Sequence, residues 1–227
     1  MGMQHRFLLL VMVALSAAQG LSQASATPGR TTWVGTFQLG ASVWPGLRDV
    51  SIPPSGFEVL DLGRFRTTGG NLEMGLYRAY RTTPDRELQA GGEFGVWWHG
   101  SGNRTTFTDM SLRTRIQAEP AANGGHLTGS VRVVWAGPRV APFVGLGAGW
   151  YMLVFKETFD AAVVDTHVRA NAPGGFLTAG LEVRGASPFS FRADTQVHFV
   201  SFGGSALRGQ HVNGPVYTLR IGGSMRF

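Results

Sequence analysis

The chain contains no cysteine and a single lysine, Lys156, among its 227 residues. Without thiols it has no disulfide, no lipoprotein attachment site and no thiolate metal site. Its net charge of +6 is carried almost wholly by arginine. Because these arginines are scattered without a basic run, the sequence argues against a nucleic-acid-binding protein. We predict no cofactor.

The chain also lacks an apolar run long enough to span a bilayer as a helix, since the run at residues 7–15 is too short. This run follows His5 and Arg6 and precedes small residues, as in a signal peptide. Residues 24–26 read Ala-Ser-Ala and match a signal-peptidase site; residues 18–20 are a second candidate. We predict a cleaved signal peptide over residues 1–26 and one exported domain over residues 27–227. A retained membrane anchor is the alternative.

Glycine is abundant, with 33 residues, and proline adds 11, which is too many for a helical protein. Between the turns that they form, apolar and polar residues alternate in segments of about ten residues, long enough for tilted strands to cross a membrane. Short and long connections also alternate, which is the asymmetry of an outer-membrane barrel. The short ones are 82–86, 136–140 and 185–188, and the long ones are 45–69, 100–125, 156–172 and 203–213.

These patterns predict an all-β fold, a closed antiparallel transmembrane β-barrel of eight strands. Residues 57–66 and 112–118 could add two more, and ten strands are the alternative. Eight are favoured because Glu58, Asp61 and Arg64 make the first stretch a poor lipid-facing strand. A soluble β-sandwich is the alternative to a membrane barrel.

Two segments carry a family resemblance. Residues 139–151, which read R-V-A-P-F-V-G-L-G-A-G-W-Y, and residues 220–227, which read R-I-G-G-S-M-R-F, resemble strands of the small OmpA/OmpX-like outer-membrane barrel domain. In the second segment Arg220, Gly222, Met225 and Phe227 match the C-terminal insertion signal of such barrels. The resemblance implies the outer membrane of a Gram-negative-type bacterium, a porin-like architecture and insertion by the barrel-assembly machinery. It implies no particular activity.

Aromatic residues gather near the predicted strand ends. Amphipathic rings favour the headgroup level of a membrane, so we expect two girdles. The tryptophans assigned to them are Trp33, Trp44, Trp97, Trp98, Trp135 and Trp150. The phenylalanines assigned with them are Phe143, Phe155, Phe189, Phe191, Phe199, Phe202 and Phe227.

Charged residues of both signs occupy the other face of the strands. The predicted interior polar network consists of Glu73, Glu93, Arg132, Glu182, Arg192, Asp194 and Arg220. An eight-stranded barrel has just enough interior to be filled by side chains, and buried charges there must pair. We therefore expect a structural polar core; the lining of a conductive or ligand-binding lumen is the alternative.

His198 is the most tempting catalytic residue. Outer-membrane lipid A deacylases carry a His-x-Ser pair in a comparable place, but here Ser201 follows at a spacing that puts the two side chains on opposite faces. No acidic residue lies at the expected place on the last strand. The other histidines are dispersed, and no pair has ligand spacing on one face, so we predict neither catalytic residues nor a metal site.

The sequence thus predicts a non-enzymatic outer-membrane barrel with a filled polar core. Its surface loops would contact outer-membrane lipids, lipopolysaccharide or the environment. A narrow pore or a binder of small apolar solutes is the alternative, and a lipid A hydrolase is the less favoured one. The oligomeric state stays open.

Overall fold

The computed structural model describes residues 32–48, 50, 57–61, 65–100, 105–109, 115–135, 137–159, 166–185, 188–203, 207 and 211–227. The predicted signal peptide and its cleavage site lie outside the described residues. The described strands are β1 (Thr32–Val43), β2 (Phe57–Asp61), β3 (Thr68–Thr83), β4 (Arg86–His99), β5 (Thr105–Asp109), β6 (Arg115–Trp135), β7 (Val140–Phe159), β8 (Thr166–Arg184), β9 (Phe189–Val200), β10 (Phe202–Gly203), β11 (His211–Val212) and β12 (Pro215–Arg226).

Eight of these strands close into an antiparallel barrel in the order β1-β3-β4-β6-β7-β8-β9-β12. The last strand pairs with the first from Val34↔Arg226 to Val43↔Tyr217, so the barrel has no open edge. This closure satisfies the backbone groups that lipid cannot hydrogen-bond. The eight-strand prediction is confirmed, and the ten-strand alternative is wrong.

Of the two stretches that could have added strands, residues 57–61 and 115–118 belong to an extension at one end of the barrel. Strand β2 pairs with β5, and β5 pairs with β6 from Thr105↔Ala118 to Thr108↔Arg115, beyond the point where β4 ends. The predicted long loops at 100–125 and 156–172 are shorter in the structure, because β6, β7 and β8 pair as far as Ala118↔Phe159 and Glu157↔Thr166. Ladder hydrogen bonds continue past the membrane, since they satisfy the backbone in water as well as in lipid.

The ends of the barrel differ. The short connections around Pro84, Pro138 and Pro188 lie at the end where β1 begins and β12 ends. Short turns face the periplasm in outer-membrane barrels, so we call this the periplasmic end and the opposite one the outer end. A 3-10 turn, Pro45–Leu47, follows β1 at the outer end and buries Leu47.

The outward face is apolar over most of the barrel. Large side chains lie about half exposed on every barrel strand; examples are Phe37, Met74, Phe94, Leu127, Leu146, Leu177, Phe191 and Leu219. Water-soluble monomers rarely expose so large a contiguous apolar surface, and this one therefore suits a lipid bilayer. Within the described residues, no helix is long and apolar enough to cross a membrane.

Candidate functional site in the barrel interior

The structure places all seven residues of the predicted polar network on the inward face of barrel strands. Each side chain is almost completely buried, and the strands that contribute them are β3, β4, β6, β8, β9 and β12. The network extends further than predicted, because Glu87, Arg184 and Arg226 join it near the periplasmic end. These ten residues are called the charged network below. They comprise five guanidinium groups and five carboxylates, so their formal charges balance.

Arg220 on β12 is the centre of the charged network. Its guanidinium contacts the Glu73 carboxylate, donates from Nε to Asp194 Oδ1 at 2.7 Å and donates from Nη1 to Gln196 Oε1 at 2.9 Å. These contacts join β12 to its neighbour β9 and, past β1, to β3. A buried charge held by several hydrogen bonds avoids the desolvation penalty of an unpaired one.

Asp194 and Glu93 are each held by groups from several strands. Asp194 Oδ2 accepts from Arg192 Nε and from Gln38 Nε2, both at 2.8 Å. Glu93 accepts from the Tyr77 hydroxyl, from Ser130 Oγ at 2.9 Å and from Gln196 Nε2 at 3.0 Å.

A second group of ion pairs closes the periplasmic end. Arg226 Nη1 lies 2.8 Å from Glu87 Oε2, and Arg226 Nη2 lies 3.4 Å from Glu182 Oε1. Arg184 Nε also reaches Glu182 Oε1, at 2.9 Å. The two contacts of Arg226 cross from β12 to β4 and β8, so they connect strands that are not neighbours in the sheet, whereas the Arg184 contact lies within β8.

Arg132 differs from the other arginines of the charged network. None of its three guanidinium nitrogens has a hydrogen-bond partner among the described residues, although the side chain is only 2% exposed. Its Cζ atom lies 3.2 Å from the ring centroid of Tyr77 and 5.7 Å from that of Phe143. The guanidinium is therefore held by aromatic faces, which attract a cation through their negative quadrupole.

The outer half of the interior is filled by rings. This group, called the aromatic plug below, consists of Trp44, Trp97, His126, Tyr151, Phe176, His198 and Phe202. Trp97 stacks on His126 with 5.5 Å between centroids, and it meets Trp44 edge to face at 6.1 Å. The Tyr151 hydroxyl lies 3.1 Å from His198 Nδ1. Aromatic pairs at these separations stabilise a protein by more than the burial of their apolar area alone.

The girdle prediction is wrong for Trp44 and Trp97, which are buried inside the barrel at 0% and 2% exposure. Trp97 and Trp98 are consecutive on β4, so only one of them can face lipid. Gly124 on β6 makes room for the inward one, because a Cβ there would overlap its indole. Trp33, Trp98, Trp135 and Trp150 do lie exposed on the outward face, whereas Phe143, Phe155 and Phe202 are also inside.

The pair considered for hydrolysis is not assembled. His198 is 1% exposed within the aromatic plug, while Ser201 is exposed and its hydroxyl contacts Asn213 Oδ1. Of the residues assigned to the insertion signal, Arg220 points inward and Met225 and Phe227 point outward. Their role in insertion stays a prediction.

Sequence reasoning missed one cluster. Glu73, Glu93 and His126 come from three successive barrel strands, and their ligand atoms lie within 4.8 Å of one another. Along the chain His126 looks like one of several dispersed histidines, because its spacing to the others is irregular. The signal lies in the register, since Gly95 on β4 pairs with Glu73 on one side and with His126 on the other.

No protein-family model and no curated protein matches the chain. Among solved structures it is similar to Ail, the attachment invasion locus protein of Yersinia pestis, in complex with the heparin analogue sucrose octasulfate; the identity is 13%, the coverage 86% of this chain and 99% of that chain, and the TM-score 0.46. It is also similar to Neisserial surface protein A, at 10% identity, 86% and 97% coverage and a TM-score of 0.44. A third is the outer membrane protease OmpT from Escherichia coli, at 6% identity, 91% and 100% coverage and a TM-score of 0.46.

The pairing of the strands establishes the predicted fold class directly. A closed eight-stranded barrel with an apolar outward face and short turns at one end is the architecture of outer-membrane barrels. The predicted likeness to the small OmpA/OmpX-like barrels is thus confirmed at the level of the fold. The chain is an integral outer-membrane β-barrel protein.

Proposed function

We propose that this protein is a non-enzymatic outer-membrane barrel with a sealed lumen, whose outer surface contacts lipopolysaccharide. The observation that carries the first part is the continuous filling of the interior. The charged network occupies its periplasmic half and the aromatic plug its outer half, with Trp97, Tyr151 and Arg220 each at most 2% exposed. Eight strands enclose little more space than such side chains need.

Planar-bilayer recording tests the sealed lumen against a narrow pore. The reconstituted barrel should give no stable conductance, and deletion of the gene should leave the uptake of small apolar solutes unchanged. A replacement of Trp97 by Gly, with the barrel still closed, is the positive control, because it removes the largest ring of the plug. Stable and sizeable conductance of the unmodified protein would overturn the sealed-lumen proposal.

The absence of enzymatic activity is proposed from the burial and contacts of the interior histidines. His99 has a serine hydroxyl nearby, with Ser42 Oγ 3.2 Å from its Nε2 atom, but both side chains are at most 1% exposed and no substrate can reach them. In the described part of the chain, His198 bonds to Tyr151 and no serine hydroxyl lies in hydrogen-bond contact with it. Purified protein should therefore leave labelled lipid A unaltered. Release of fatty acid that is lost in a His198→Asn variant would refute this part of the proposal.

The contact with lipopolysaccharide is proposed from the outward face of β7 and β8 near the outer end. Along β7 the apolar residues Trp150 and Met152 are followed by Lys156 on the same face. Arg169 on β8 pairs with Val154, so it lies diagonally across the ladder from Lys156. Two cations just above the apolar belt are placed to meet the phosphate groups of lipid A.

Co-purification tests this contact. A Lys156→Gln/Arg169→Gln variant should retain less lipopolysaccharide per barrel after detergent extraction than the unmodified protein. Arg139→Gln is the matched control, because Arg139 is exposed in a periplasmic turn, where lipopolysaccharide is not found. Equal retention by all three proteins would exclude a specific contact at this position.

A further inference from the structure

A cluster of potential metal ligands lies where the charged network meets the aromatic plug. Glu73, Glu93 and His126 are each at most 5% exposed, and their ligand atoms lie within 4.8 Å of one another. They project from β3, β4 and β6, which are adjacent and hydrogen-bonded in the barrel wall. The backbone that carries them is therefore rigid, as an ordered metal site requires.

His126 is the unusual member of the cluster. Neither of its ring nitrogens has a hydrogen-bond partner in the described part of the chain, although such buried polar groups are almost always satisfied. Its Nε2 atom lies 3.4 Å from Glu73 Oε2, which is too long for a good hydrogen bond. The same distance suits two ligands of one metal ion. Two ligand atoms at a tetrahedral angle around Zn²⁺, each with a bond of roughly 2.0–2.1 Å, are about 3.4 Å apart.

The ring of His126 is also held in place. The ring stacks on Trp97. It occupies space that is free because Gly95 has no side chain, since a Cβ there would overlap the imidazole. This packing holds the imidazole where one of its nitrogens lies within 4.8 Å of a carboxylate oxygen of each glutamate. Pre-orientation by surrounding groups is what supporting residues provide in known metal sites.

We propose that Glu73, Glu93 and His126 bind one divalent transition-metal cation, with Zn²⁺ the best match to one imidazole and two carboxylates. Three protein ligands leave a fourth position for water. The site goes beyond the proposed function and does not depend on the lipopolysaccharide contact.

The neighbouring guanidinium groups leave Glu73 able to bind a cation. Three carboxylates, Glu73, Glu93 and Asp194, lie with three guanidinium groups in this part of the interior: Arg192 and Arg220 pair with carboxylates, and Arg132 is held by the Tyr77 ring. Arg220 keeps Asp194 and Gln196 as partners if Glu73 turns towards the metal.

Cobalt substitution tests the proposal. The full chain is refolded into detergent with Co²⁺, freed of unbound metal, and checked by unheated gel mobility for a closed barrel. We expect about one tightly bound metal per barrel and a visible d–d band typical of four- or five-coordinate Co²⁺. His126→Asn and Glu73→Gln should each weaken binding by more than about tenfold, since even supporting residues of metal sites have effects of that size. His211→Asn is the matched control, because His211 is exposed on β11.

Two results would overturn the site. One is a closed, unmodified barrel that retains no stoichiometric metal. The other is metal binding that is unchanged in His126→Asn, whatever the His211→Asn control shows. If the His126 variant does not fold, X-ray absorption of the zinc-loaded, unmodified barrel decides, since the proposal requires one imidazole in the first shell and the lack of imidazole scattering contradicts it.

Discussion

The periplasmic and outer halves of the barrel interior are filled by different chemistry. In the periplasmic half, guanidinium and carboxylate groups from non-neighbouring strands pair through bonds such as Arg220 to Glu73 and Arg226 to Glu87. In the outer half, rings from the strands and from the segment after β1 stack on one another, with Trp97 at the centre.

The two kinds of filling depend on different features of the wall. Ion pairs are directional, so they require a particular register between strands, and a one-residue slip would turn each charge towards lipid. Ring packing requires volume, which inward glycines supply: a Cβ on Gly124 would overlap Trp97, and one on Gly147 would overlap Phe176. Stability in the periplasmic half should thus respond to charge, and in the outer half to size.

The largest expected effect comes from removing the central charge. Arg220→Met should lower the free energy of unfolding by roughly 3–5 kcal/mol, because Glu73 and Asp194 would lose a buried partner. Arg132→Met should change it by at most about 1 kcal/mol, since Arg132 has aromatic contacts in place of a paired carboxylate. Denaturant titration of the barrel in lipid vesicles, followed by tryptophan fluorescence, measures both.

Similar losses for the two arginine variants would contradict this division of roles. They would mean that Arg132 has a counter-charge of its own, or that the total charge of the interior, and not the pairing of each group, determines the free energy of unfolding. Urea is the suitable denaturant, because a salt such as guanidinium chloride would screen the less buried pairs at the periplasmic end.

A smaller effect is expected from adding one methyl group to the wall of the outer half. Gly124→Ala should cost roughly 1–3 kcal/mol, because the new methyl group meets the Trp97 indole, which other rings hold in place. Gly129→Ala on the same strand is the control, since its Cβ would point outward with no close neighbour. An equal free energy of unfolding in both variants would show that the aromatic plug accommodates the extra methyl group and is less well packed than the ring geometry indicates.

Much of the fold could be predicted from alternation along the strands. Inward and outward faces follow from a period of two, and this rule alone assigns Glu93 to the interior and Phe94 to the outward face, where the structure has them. The same alternation places Trp97 on the inward face with Glu93 and Trp98 on the outward face with Phe94, as the structure has them. The girdle prediction was wrong for Trp97 because the preference of aromatic rings for a membrane interface does not determine which face of the strand a ring occupies.

Contacts between strands could not be predicted, because they depend on register. Glu73 and His126 are 53 positions apart in the numbering, yet both lie beside Gly95 in the ladder. Residues 115–121 were not predicted to continue β6, for a related reason. They mix charged, small and proline residues, and they are held as a strand by pairing with β5 and β7. Local propensity has little weight where a neighbouring ladder supplies the hydrogen bonds.

The last prediction concerns the consecutive tryptophans and should leave stability least affected. Trp98 is 48% exposed on the outward face and Trp97 is 2% exposed inside, so only Trp98 should contact acyl chains. In vesicles of brominated lipid, Trp98→Phe should remove part of the quenchable fluorescence, whereas Trp97→Phe should remove mainly unquenched fluorescence. The reverse result would exchange the two faces of β4, and it would place Glu93 and Gln89 in lipid, where unpaired polar groups are too costly to persist. The fluorescence of two adjacent residues therefore tests the orientation of a whole strand of the wall, and with it the separation of the charged network from the membrane.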